Sequence, residues 1–137
     1  MTKTFTARNT KRLGRVLIVD DEPPIRALLT RWLSAWGYQL RSVGSASQAL
    51  ATMAAEPADI VLCDVGMPDY DGVRLAQQVH ERWPGTAIVM ITGRDDPGTV
   101  RASRKAGAVA YVLKPFNPLL LLSAIEDTAR VADAAPG

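Results

Sequence analysis

Val16-Leu17-Ile18-Val19-Asp20-Asp21-Glu22-Pro23-Pro24 is the stretch whose reading decides the fold. Four consecutive apolar residues, three of them β-branched, read as a strand covered on both faces, because a strand with one wet face alternates apolar and polar side chains. The run stops at three acids. The two prolines that follow open a helix at the one position where a missing backbone N–H costs nothing. Strand, acidic turn and helix form the first unit of an alternating β-α chain.

The same unit recurs downstream. Ile25, Leu28, Leu29, Trp32, Leu33 and Trp36 share one stripe at helical spacing, closed by Gly37. Tyr38 to Val43 reads as a weaker strand, and Ser45 with Gln48 predicts a capping box for a helix ended by Pro57. Ile60-Val61-Leu62-Cys63 is a buried strand that ends at Asp64. The loop Met67-Pro68-Asp69-Tyr70-Asp71-Gly72 leads into a helix through Arg82, stopped by Pro84-Gly85. Ala87 to Ile91 is a fourth strand, a helix follows from near Pro97 to Gly107, and Val109 to Leu113 is a fifth strand. Asn117 predicts the N-cap of a last helix with Pro118 early in it. Five β-α units in this order require parallel strands with right-handed crossovers. The expected fold class is therefore α/β, an open, doubly wound, five-stranded parallel sheet with helices on both faces.

The 137 residues fit one domain, which typically takes roughly 100–200 residues. A net charge of +2 is too small to argue for nucleic acid, and no direct nucleic-acid binding is expected of this domain. The single cysteine, Cys63, excludes an internal disulfide and reads as a small buried hydrophobe. No apolar run approaches the roughly 20 residues that span a bilayer, and no signal core opens the chain, so a cytoplasmic protein without membrane contact is expected. Residues 1–14 carry Lys3, Arg8, Lys11 and Arg12 with no acid and read as a flexible, solvated basic tail. Residues 15–132 form the ordered unit, and residues 133–137 a C-terminal tail. No effector segment is seen after the fifth helix, which puts the output in a protein contact or in a domain elsewhere.

In an open parallel sheet, ligands bind beyond the carboxyl ends of the strands. Those ends carry Asp20 and Asp21 on the first strand, Asp64 on the third, Thr92 on the fourth and Lys114 on the fifth. Carboxylates held a few ångströms apart require a proton or a cation. An all-oxygen donor set without histidine or cysteine favours a hard cation, magnesium above zinc. A carboxylate nucleophile, a magnesium ion and a lysine are the parts that handle charge on a transferring phosphoryl group, and Thr92 can donate to a phosphoryl oxygen.

These residues resemble the receiver domain of two-component response regulators. The matching text is Val16 to Glu22, Asp64 with Met67-Pro68 and Asp71-Gly72, Thr92-Gly93, and Gly107-Ala108 through Tyr111 to Lys114-Pro115-Phe116, together covering Arg15 to Arg130. The resemblance implies a flavodoxin-like (βα)5 sheet with strand order 2-1-3-4-5. It implies that Asp64 takes a phosphoryl group from a phosphohistidine on a sensor histidine kinase or histidine phosphotransfer protein. Asp20, Asp21, Asp64 and the backbone carbonyl of Gly66 would hold Mg2+, for which Mn2+ could substitute, with Asp20 acting mainly through water. Lys114 and Thr92 would bind the phosphoryl group, and Pro115 would follow a cis bond. Thr92 and Tyr111 would form the switch pair that remodels the surface of the fourth helix, fifth strand and fifth helix, toward an effector or a homodimer. Gly66 and Arg94 stand two residues beyond Asp64 and Thr92, where the family tunes the lifetime of the phosphoryl group. The implied activity is that of a phosphoacceptor switch, with self-catalysed phosphotransfer and slow self-dephosphorylation, and not that of a metabolic enzyme.

Each feature has a plainer reading. Asp20-Asp21 could simply favour a helix N-terminus, Tyr111 could be a half-buried strand aromatic, and His80, with no second histidine, reads as exposed. A haloacid-dehalogenase-type phosphatase also uses Asp, magnesium, Thr and Lys, but its nucleophile ends the first strand with a second acid two positions on. Here Gly66 follows Asp64 at that distance. A nucleotide-binding sheet needs a glycine- or hydroxyl-rich loop after its first strand, and Glu22-Pro23-Pro24 is not one. A phosphorylation-independent scaffold is the third alternative, against which the complete acidic set stands. In the last helix, Leu121, Leu122, Ile125 and Ala129 are expected to face inward. Leu119 and Leu120 fall off that stripe and are candidate interface residues.

Overall fold

Ten elements alternate along the chain in the computed structural model: β1 (Arg15–Val19), α1 (Pro23–Ala35), β2 (Gln39–Val43), α2 (Ala46–Ala55), β3 (Ile60–Asp64), α3 (Gly72–Arg82), β4 (Ala87–Thr92), α4 (Pro97–Lys105), β5 (Ala110–Leu113) and α5 (Pro118–Ala134). The structure describes residues 14–67, 72–93 and 97–134, with side chains through Thr128. Residues 1–13 of the expected basic tail (residues 1–14), the Pro68–Asp71 part of the loop after β3, Arg94, the side chain of Ala129 and residues 135–137 lie outside the described residues.

All strands pair in parallel in the order β2-β1-β3-β4-β5. The central strands β3 and β4 are buried at every residue, which is why they read as unbroken apolar runs. The edge strand β2 has no fully buried residue, which accounts for its weaker sequence signal. The sheet separates two cores. Leu17, Val19, Val61, Cys63, Ile88 and Met90 pack with α2 and α3 residues such as Ala49, Met53, Leu75 and Val79. Val16, Ile18, Ile60, Leu62, Val89, Ile91 and Val112 pack with Leu29 and Leu33 of α1 and Leu121 and Ile125 of α5.

Local chemistry sets the element ends. The Ser45 hydroxyl accepts from the Gln48 N–H at 3.2 Å, while the Gln48 side chain accepts from the N–H of Gly44 at 3.0 Å. The expected box is thus widened by one residue on its return bond. Asn117 caps α5 by accepting from the Leu120 N–H at 2.8 Å. Gly37 (φ +99°) and Gly107 (φ +109°) end α1 and α4 in the left-handed region.

Two sequence expectations need correction in α5. Leu122 is only half-buried, and the inward stripe is Leu121, Ala124, Ile125 and Thr128. Thr128 escapes a hydropathy reading because it is polar, yet its hydroxyl donates to the Ala124 carbonyl at 2.7 Å and so enters the core with its hydrogen bond made. The helix also runs to Ala134, past the expected boundary at residue 132.

Candidate functional site

The sheet order reverses between β1 and β3, the point beyond whose carboxyl ends open parallel sheets bind their ligands. Asp20 and Asp21 leave β1 on one side of it and Asp64 ends β3 on the other. Asp20 (1% exposed) and Asp64 (5%) are buried carboxylates. Oxygens of Asp20, Asp21, Glu22 and Asp64 all lie within 4.8 Å of one another. Glu22, absent from the expected metal ligands, joins them because the turn out of β1 brings three successive acids to one point.

Every polar group of Asp20 is occupied. Its N–H donates to Val43 O at 3.2 Å, and its carbonyl accepts from Arg26 Nη1 at 2.6 Å. Its Oδ1 accepts from the Glu22 N–H at 2.9 Å, and its Oδ2 accepts from Lys114 Nζ at 3.0 Å. Lys114 also reaches Glu22 Oε2 at 3.3 Å and Asp64 Oδ1 at 3.6 Å. It thereby ties the end of β5 to the ends of β1 and β3. Asp64 Oδ1 in turn accepts from the Gly66 N–H at 3.1 Å. The Lys114–Pro115 peptide is cis, and the Lys114 N–H donates to Thr92 O at 2.7 Å.

Burial pushes the Asp64 carboxyl above its ordinary range. The Gly66 N–H works against that rise, Asp20 adds to it, Lys114 opposes it, and Asp21 contributes last. For Lys114 burial disfavours the charge, but the hydrogen bond to Asp20, the charges of Asp64 and Asp20 and the bond to Glu22 outweigh it, so its pKa is raised.

Register places the remaining groups. Tyr111 pairs with Met90 and Leu113 with Thr92, so by strand alternation Thr92 and Tyr111 share the sheet face that packs on α2 and α3. Asp64 pairs with Ile91, which belongs to the opposite core. The phosphoacceptor candidate and the switch candidates thus approach the same sheet edge from opposite faces. Thr92 is buried and Tyr111 half-buried.

Gly72, quoted from the sequence only as part of a motif, is sterically required at the site. An ideal Cβ at Gly72 would stand 2.7 Å from Val65 Cα and against the Asp64 carbonyl, so only glycine lets α3 begin this close to the end of β3. A Cβ at Gly44 would stand 2.9 Å from Arg26 Nη1. His80 is exposed as expected, and a Cβ at Gly107 would come 2.5 Å from its ring.

The donor set fits a hard divalent cation: clustered carboxylates from the turn after β1 and from the end of β3, with no nitrogen or sulfur ligand in the group. Together, this sheet order and these carboxylates at its reversal define an open α/β module with an acidic site at its carboxyl edge. Residues 16–126 match the response regulator receiver domain family, and the chain belongs to it. It is 38% identical over 121 residues to the transcriptional regulatory protein AruR of Pseudomonas aeruginosa, covering 85% of this chain and 49% of that protein. It is 37% identical over 123 residues to the hydrogenase transcriptional regulatory protein HoxA of Cupriavidus necator, covering 89% of this chain and 24% of that protein. The chain therefore spans about half of one relative and a quarter of the other. Among solved structures, a CheY-like receiver domain protein from Methanospirillum hungatei superposes with a TM-score of 0.85 at 33% identity, covering 88% of this chain and 97% of that one.

Proposed function

We propose that Asp64 accepts a phosphoryl group from a phosphohistidine of a sensor histidine kinase or histidine phosphotransfer protein, and that its phosphorylation alters the α4-β5-α5 surface. One observation carries this reading: a buried carboxylate, Asp64, stands at the sheet reversal with Lys114 Nζ 3.6 Å away and three further acids within 4.8 Å.

In the transfer, a carboxylate oxygen of Asp64 attacks phosphorus. The N–P bond of the phosphohistidine breaks, and the imidazole nitrogen keeps the electron pair. Asp20, Asp21, Asp64 and the Gly66 carbonyl, joined by Glu22, would hold Mg2+ or Mn2+, which when bound offsets the charge gathered on the carboxylates and phosphoryl oxygens. Lys114 pairs with a phosphoryl oxygen and Thr92 donates its hydroxyl to another. As Thr92 moves toward the phosphoryl group, Tyr111 on the same sheet face turns into the space behind it. Slow hydrolysis by water resets the switch. Among the described residues, a Cβ at Gly66 would meet only Asp64 Oδ1, at 3.9 Å. Gly66 and Arg94 set the lifetime of the phosphoryl group.

Leu119 (77% exposed) and Leu120 (61%) form the contact with an effector or with a second copy. The folded unit runs from Arg15 to the end of α5 at Ala134, in a protein of the cytoplasm. Among the described residues no helix is long and apolar enough to cross a membrane. The test is incubation with magnesium and acetyl phosphate. A mass gain of one phosphoryl group, lost in Asp64→Ala, supports the reading. Sustained turnover of phosphate esters would favour a phosphatase instead.

A further inference from the structure

We infer that Arg26 is a positioning residue for the magnesium site, held in place by the turn between β2 and α2. The inference rests on the magnesium-dependent reading above and concerns a side chain outside the acidic cluster.

Arg26 lies one turn into α1, and its Nη1 donates to the Asp20 carbonyl at 2.6 Å. That carbonyl belongs to the peptide that carries Asp21. Asp20 follows the last residue of β1, so its carbonyl has no place in the regular ladder, and Asp20 itself is 1% exposed. A buried carbonyl without a partner is costly, and a charge-assisted bond from a guanidinium both satisfies it and fixes the plane of the peptide. The direction in which Asp21 leaves the chain follows from that plane. Glu22 is fixed by its own N–H on Asp20 Oδ1.

The guanidinium needs room, and the β2–α2 turn supplies it. A Cβ at Gly44 would lie 2.9 Å from Nη1 and 3.5 Å from Cζ. Gly44 is itself pinned, because its N–H donates to Gln48 Oε1 at 3.0 Å. The cap of α2, the missing side chain at Gly44, the Arg26 guanidinium and the Asp20 peptide form one continuous chain of contacts ending at the site.

Charge and geometry make opposite predictions, which is what renders the inference testable. A cation near a magnesium site repels the metal, so removing Arg26 as a mere charge would tighten binding. Removing it as a clamp loosens binding, by about tenfold or more if it acts like other outer-shell partners. The measurement is the magnesium dissociation constant of the unphosphorylated full chain, read by titration calorimetry. Wild type is compared with Arg26→Gln, Arg26→Lys and Gly44→Ala, with urea unfolding of each. Weaker binding in Arg26→Gln and Gly44→Ala, with substantial recovery in Arg26→Lys, is the expected result. Unchanged or tighter binding in a folded Arg26→Gln overturns the inference. If that variant does not fold, full-strength binding in Gly44→Ala overturns it. Wild-type protein that takes up no magnesium would defeat the magnesium-dependent reading itself. In that case the metal-free amide resonances of Asp21 and Glu22 still decide the clamp: a shift on Arg26→Gln supports it and identical resonances refute it.

Discussion

At the scale of single residues, the site is held together by groups that compensate one another. Asp64 carries a raised pKa chiefly because it is buried. In the metal-free protein its ionisation therefore opposes folding. With a folded pKa above the unfolded one, the native state binds the extra proton. The associated stability is then fully present below about pH 4 and is lost as pH rises through the folded value. Asp64→Asn should accordingly stabilise the metal-free protein at neutral pH, with the gain shrinking on acidification. Urea denaturation at several pH values without divalent cations measures it, and a gain that grows toward low pH would contradict the assignment. Gly107 makes a second residue-scale prediction. Its φ of +109° and its contact with the His80 ring leave no room for a Cβ. Gly107→Ala should cost about 1–3 kcal/mol, and the same change combined with His80→Ala should recover the steric part of that loss.

At the scale of elements, α5 shows how a helix divides its leucines. Leu121 is fully buried beside Ile125, whereas its neighbour Leu120 is 61% exposed. Leu121→Ala should destabilise by about 2–5 kcal/mol, as large-to-small core changes do. Leu120→Ala should stay within about 0.5 kcal/mol. If the exposed pair forms the proposed contact, Leu119→Glu with Leu120→Lys should abolish phosphorylation-dependent self-association in sedimentation, and an unchanged association constant would remove the pair from the interface. Periodicity placed Leu119 and Leu120 off the core face correctly. It misplaced Leu122, because a stripe drawn from apolar residues alone skips Thr128, whose hydroxyl is satisfied within its own helix.

At the scale of the molecule, three acids from the turn after β1 and one from the end of β3 share a space with Lys114 from the far edge of the sheet. A cation that binds this cluster in the folded chain has no matching site in the unfolded one, so it must stabilise the fold. At free magnesium about a hundredfold above the dissociation constant, stabilisation should approach about 2.7 kcal/mol. Asp21→Ala should abolish most of it. Thermal melts across a magnesium series check this, and an unshifted melting temperature would argue against the site.

The amino-acid sequence by itself determined the alternation of buried strands and amphipathic helices, the parallel sheet this entails and the residues at the strand ends. Each of these follows from local periodicity, from prolines and glycines at element boundaries and from the position of charge after an apolar run. Tertiary structure alone decided that Glu22 joins the acidic group, that Lys114 bonds Asp20 and Glu22 more closely than Asp64, and that Arg26 clamps the Asp20 carbonyl beneath Gly44. It also decided that Thr92 and Tyr111 approach the sheet edge from the face opposite Asp64. Those facts depend on strand register and on distances between residues as far apart as Asp20 and Lys114. No local pattern encodes them, because they exist only once the chain has packed.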